Sequence, residues 1–249
     1  MGESGLQAVV VTLCAPGPDR AADREALVAA VAAAAAVETA AVRAGRVCPH
    51  CAGTDHGRPW ASVHGTAVGV SLSRTTGVLA VAVAPATVGV DVERVSRVGA
   101  APLDVFTPGE LERAAGDAAL LAACWAAKEA VLKRDGRGLR VDPLSVDVDV
   151  AAGTARFEGR DHPVTIHRPA PDLVLVVAAG GLPVVVEGSL SGECEHLGAV
   201  VGDRDGVLGV GRPGSRGTAE RPAVGIGDEH VGVRHHPRFE REQEARPGA

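Results

Sequence analysis

Lysine is almost missing from this chain. Of 25 Lys and Arg residues in a length of 249, only Lys128 and Lys133 are lysine. Asn and Tyr are absent, Met occurs once, and aromatics reach only 2%. The core must therefore be built from Val, Leu and Ala. A formal net charge of −6 gives no bulk attraction to nucleic acid or to an anionic membrane. Long apolar runs are also lacking. The alanine stretch at 29–36 is too short to span a bilayer and lies on an expected helix. The N-terminus shows no basic region followed by an apolar run, which excludes a recognisable secretory signal. Five cysteines, an odd number in a chain of this size, do not read as a disulfide framework. These absences point to a cytoplasmic protein of one or two domains.

What remains is patterned. Residues 6–13 read as a strand and 19–40 as an Ala-rich helix. A loop is expected at 43–60, carrying Cys48, His50, Cys51, His56, Gly57, Arg58 and Pro59. Runs at 67–73, 78–84 and 87–92 read as strands, with Ala84-Pro85-Ala86 as a turn that would make the last two a hairpin. Thr107-Pro108, followed by Glu110 and Glu112, has the form of a helix N-terminus. A longer helix is expected over 117–134, stopping at Gly136 or Gly138. Further strands are expected at 144–150, 163–167, 173–178 and 183–187. From 189 to 249 no helix or strand period persists, which predicts a disordered tail.

Three clusters carry chemistry. In Val88-Gly89-Val90-Asp91-Val92-Glu93 a period of two places Gly89, Asp91 and Glu93 on one face. Carboxylates two residues apart on a strand lie about 6–7 Å from each other, close enough for both to reach one hard divalent cation directly or through water. Gly89 would leave room for a ligand to approach the backbone. The same pattern also suits a half-exposed strand with a polar face. The second cluster is the helix segment Trp125 to Lys133, which holds both lysines. Trp125, Glu129 and Lys133 share one edge at four-residue spacing, while Lys128 interrupts an apolar stripe. A surface Glu–Lys pair would account for Glu129 and Lys133, but arginine would serve there equally well. A retained lysine suggests a compact charge that can pass a proton. The third is Ser71 to Gly77, whose hydroxyls and Arg74 suit a phosphate or a plain turn.

Together these segments resemble the 4′-phosphopantetheinyl transferase superfamily in its surfactin-synthetase type. The resemblance rests on Gly57-Arg58-Pro59, Ser73-Arg74-Thr75, the acidic strand 88–93 and the helix 125–133, with Phe106-Thr107 and Gly136 to Leu139 fitting around them. It implies an α+β fold of two similar halves related by a pseudo-twofold, 1–86 and 87–188, with coenzyme A in the cleft between them. It implies Mg²⁺ held by Asp91, Glu93 and Glu129, with Glu129 and Lys133 catalytic. Arg58, Pro59, Ser73, Arg74, Thr75, Lys128 and Lys133 would contact coenzyme A. The activity implied is transfer of the phosphopantetheine arm to a serine of an apo acyl or peptidyl carrier protein, releasing 3′,5′-ADP, by a monomer that needs neither nucleic acid nor membrane. Arg74 stands where the family pattern has histidine.

Two other readings start from the same residues. One is a degenerate homologue that binds coenzyme A or carrier protein without transfer. The other is a zinc-dependent interaction module built on Cys48-Pro49-His50-Cys51 with His56.

Overall fold

The computed structural model describes residues 6–193. The strands are β1 (Val9–Ala15), β2 (Val42–Val47), β3 (Arg58–Val63), β4 (Thr66–Thr75), β5 (Val78–Ala84), β6 (Gly89–Arg94), β7 (Val146–Asp149), β8 (Thr154–Phe157), β9 (Arg160–Pro163), β10 (Thr165–Ala170), β11 (Leu173–Ala178) and β12 (Val184–Glu193). The helices are α1 (Arg20–Ala35), α2 (Val95–Gly99), α3 (Pro108–Ala114) and α4 (Ala118–Asp135), joined by short 3₁₀ turns. The fold is α+β.

Three sheets form. The first has the order β12-β1-β5-β4-β3-β2, the second β10-β11-β6 and the third β7-β8-β9. All pairings are antiparallel except β1 with β12. Alternation along β5 explains the layering. Leu79, Val81 and Val83 pack into a core with α1, whereas Val78, Ala80, Ala82 and Ala84 face Val88 just before β6, Val90 and Val92 within it, and Leu173, Leu175 and Val177 of β11. The other face of β11, through Val174 and Val176, packs on α4. The layers therefore run α1, first sheet, second sheet, α4. Both faces of β5 are buried, which is why its sequence reads as an unbroken apolar run.

The expected hairpin of 78–84 with 87–92 does not form. β5 pairs with β1 and β4, while β6 pairs with β11 from Leu173↔Arg94 to Ala178↔Gly89. The chain crosses between layers at residues 85–88. The expected loop at 43–60 begins and ends in strands, since Val42–Val47 pairs with Arg58–Val63. α1 stops at Ala35, short of the expected 40, because Ala36 takes a left-handed cap with φ 51°. β12 crosses back to join β1, and it runs to Glu193. The rest of the expected tail, 194–249, lies outside the described residues.

Helix termini follow their capping residues. Thr107 and Glu110 form a reciprocal capping box with Pro108 at the first position of α3. Asp117 accepts from Ala119 and Leu120 at the start of α4, and Gly136 ends it with φ 96°.

Candidate active site

The site is built where β6 passes under α4. An added Cβ on Gly89 would lie 1.8 Å from the Ala130 carbonyl oxygen and 2.7 Å from the Arg134 amide. The helix, not a ligand, occupies the space beside this glycine. That close approach sets the register of the two elements. Asp91 then meets Lys133 one turn along, and Glu93 meets Trp125 two turns back.

Lys133 Nζ donates to Asp91 Oδ1 at 2.6 Å and to the Val90 carbonyl at 3.2 Å, and lies 3.4 Å from Glu129 Oε2. Ser73 Oγ on β4 donates to the same Asp91 oxygen at 2.6 Å. Trp125 Nε1 donates to Glu93 Oε1 at 3.3 Å. Ser71 Oγ accepts from the Val90 amide at 3.0 Å, satisfying the edge of β6 that β11 does not cover. Asp91 is 2% exposed. Its second oxygen and Glu93 Oε2 are buried without a hydrogen-bond partner among the described residues.

This crowding shifts the acids. Burial, and then the charge of Asp91, pushes Glu93 up to about 7. The same two causes, in the same order, raise Glu129. Burial works against the Lys133 charge, yet Asp91 and Glu129 outweigh it and raise its pKa. Two buried, unpartnered carboxylate oxygens beside a third carboxylate fit a hard divalent cation with oxygen preference. Asp91, Glu93 and Glu129 are the residues able to hold it. They are spread more widely than a closed shell. Among the described residues, the group of three His, Cys, Asp or Glu side chains whose ligand atoms all lie within 4.8 Å of one another is Cys48, Cys51 and His56. An open oxygen set suits an ion that keeps waters or substrate oxygens as further ligands.

Lys133 also lines a groove of about 410 Å³ with Arg46, His50, Arg58, Arg137 and Arg140, and with no carboxylate. An adjoining groove of about 530 Å³ shares Arg46, Pro59 and Leu72 and continues to Arg20, Arg24 and the half-exposed Trp60. Gly136, which ends α4, borders the first groove, and a Cβ there would lie 2.5 Å from the Arg58 guanidinium.

The expected site residues separate into groups. Asp91, Glu93, Glu129, Lys133 and Ser73 converge; Arg58, Pro59 and Lys133 line the cationic groove. Ser73 serves Asp91 rather than standing free for a phosphate. Thr75 is buried, with its hydroxyl unpartnered among the described residues. Arg74 points to the α1 side, donating to both Asp23 oxygens at 3.1 and 3.2 Å and to the Gly17 carbonyl, and it lines neither groove. Lys128 requires correction. It is 0% exposed, and its ammonium lies 2.8 Å from Glu110 Oε2 and donates to the carbonyls of Pro143 and Val146. It cannot reach a phosphate in the groove. The charge in the apolar stripe is a core ion pair.

Sequence reasoning missed Arg46 and Arg140 as groove residues and Glu110 as the partner of Lys128. Glu110 carried a signal, since an acid three residues after a Thr cap predicts a reciprocal cap. Arg137 is held by Asp135 at 2.6 Å and Glu158 at 2.7 Å and sits over Phe157.

No curated protein matches the chain. Residues 87–172, the stretch that carries the acidic strand, the capping box and α4, match the family model of the 4′-phosphopantetheinyl transferase superfamily. Over that stretch, about a third of the chain, the protein is similar to the superfamily.

Proposed function

We propose that the protein transfers the 4′-phosphopantetheine arm of coenzyme A to a serine of an apo carrier protein, in the surfactin-synthetase manner. The observation that carries this reading is the position of Lys133. One ammonium touches Asp91 and Glu129 and also lines a groove walled by arginines. It thereby joins an acidic centre to an anion-binding wall.

In this reading the pyrophosphate of coenzyme A lies along Arg46, Arg58, Arg140 and Lys133. Arginine forks suit phosphate oxygens. Asp91, Glu93 and Glu129 hold Mg²⁺, which when bound supplies neutralisation of charge on the pyrophosphate. Glu129, made more basic by burial and by Asp91, takes the proton of the incoming serine hydroxyl. The serine oxygen forms a bond to the β-phosphorus, the phosphoanhydride bond breaks, and 3′,5′-ADP leaves. Lys133 stabilises the departing phosphate and can return a proton to it. The halves 1–86 and 87–188 meet at the groove that takes the coenzyme, where Arg46 and Arg58 come from the first and Lys133 and Arg140 from the second.

The test is intact-mass analysis of several apo carrier proteins after incubation with the protein, coenzyme A and Mg²⁺. Addition of one phosphopantetheine, absent when EDTA is present, is expected. Failure on every carrier, with coenzyme A left intact, overturns the reading.

A further inference from the structure

The connection between β2 and β3 forms a second, chemically different cluster. Val47 pairs with Arg58 at the neck of the loop, and Gly57, with φ 93°, closes it. The Cys48 amide donates to the Gly53 carbonyl, and the Ala52 amide to the Cys48 carbonyl, both at 2.9 Å. This winds the chain so that Cys48, Cys51 and His56 present ligand atoms all within 4.8 Å of one another. Cys51 Sγ lies 3.4 Å from His56 Nε2. Tetrahedral zinc with bonds of about 2.3 Å to sulfur and about 2.0–2.1 Å to nitrogen would set that separation at about 3.6 Å.

The surroundings also fit. His56 Nδ1 is 2.6 Å from Asp55 Oδ1, so the carboxylate holds the proton on Nδ1 and leaves the Nε2 lone pair facing the sulfur. The Gly53 amide donates to Cys51 Sγ at 3.4 Å. Gly53 sits in the middle of the cluster. A Cβ there would lie 3.1 Å from the His56 ring, 3.2 Å from Cys51 Sγ and 3.2 Å from Asp55 Oδ1. A lone Cys51–His56 hydrogen bond would need neither Cys48 as a third ligand atom nor Asp55 behind the ring.

We propose that Cys48, Cys51 and His56, backed by Asp55, bind one zinc ion that clamps the loop forming the wall of the cationic groove. Binding releases the two thiol protons to solvent, giving two thiolate bonds and one imidazole bond, with a water as fourth ligand. Cys48, His50, Gly57, Arg58 and Pro59 all line the groove, so the clamp fixes where Arg58 points. The site stands apart from the transferase reading, since it uses soft ligands on a different loop.

The test is metal analysis of the untagged full chain, purified in reducing buffer, exposed to zinc alone and then desalted. One zinc per chain is expected, with Cys48 and Cys51 protected from alkylation until EDTA is added. Deuterium uptake over residues 48–57 should rise when EDTA removes the metal and fall when zinc is returned. Cys48→Ala and Cys51→Ala should each lose zinc, whereas Cys124→Ala keeps it. No zinc retained by the wild type, a Cys48–Cys51 disulfide formed with zinc present, or zinc kept by a Cys48→Ala/Cys51→Ala double variant each overturns the proposal.

Discussion

Three carboxylates crowd beside β6, and the one ammonium among them, Lys133, pairs with Asp91 and Glu129. Glu93 stands beside them on the Trp125 indole, and two carboxylate oxygens stay unpartnered among the described residues. Burial first, and then the neighbouring charge of Asp91, raises Glu93 and Glu129. The consequence for stability has a definite sign. Glu93 titrates near pH 7 when folded against 4.5 for the free side chain, so the folded protein keeps a proton that the unfolded chain releases in between. The resulting stabilisation is complete below pH 4.5 and is lost as pH rises through about 7. Without divalent cation, the melting temperature contributed by this group should therefore fall between pH 5 and pH 8, which differential scanning calorimetry reads. Glu93→Gln should flatten that slope, and a slope left unchanged would refute the assignment. Lysine scarcity marked both lysines, yet only one faces the groove. Lys128→Met strands Glu110 in the core and should cost about 3–5 kcal/mol in chemical denaturation. Transfer per folded molecule should stay near wild type. A specific loss of transfer with stability intact would restore Lys128 to the site. Lys133→Arg should do the reverse: folding holds, and the rate falls by about 10²-fold or more, as for loss of a positioned proton carrier.

At the level of elements, the site depends on how closely α4 approaches β6. Gly89→Ala would push a Cβ into the Ala130 carbonyl, and neither backbone can yield without moving the register. The change should cost about 3 kcal/mol, near the upper range for overpacking, and reduce transfer even in the folded fraction. Thermal melting together with a rate per folded molecule reads both, and an unaffected melt would contradict the packing. Much of this was legible in the chain. The four-residue spacing of Trp125, Glu129 and Lys133 and the two-residue spacing of Gly89, Asp91 and Glu93 define faces by local geometry alone, and those faces meet. The role of Gly89 was not legible, because a glycine in a strand signals a close approach without naming what approaches. Nor was the partner of β6. A short apolar strand after a turn resembles half of a hairpin, and only the need to cover two faces sends it to β11. Ser73 was marked as a phosphate ligand because nothing local shows that its neighbour across the layers is Asp91.

Across the whole molecule, a cationic groove adjoins an acidic centre, and Lys133 belongs to both. Arginines from β2, β3 and the segment after α4 line one stretch, and Lys133 carries the acidic centre into it. The capping box of α3 and the Lys128–Glu110 pair hold the third sheet against α4, because Glu110 also accepts from the Val148 amide. Composition was informative at this scale through what it excluded, while the crossing back of β12 to β1 could not be read, since its partner lies at the other end of the chain. The reaction centre and the groove should be separable. Calorimetric titration of Glu129→Gln with coenzyme A, run beside intact-mass assay of an apo carrier with the same preparation, measures both. Coenzyme A binding within a few-fold of wild type with transfer abolished is the expected result. Transfer at near wild-type rate by Glu129→Gln would contradict the assignment of the centre.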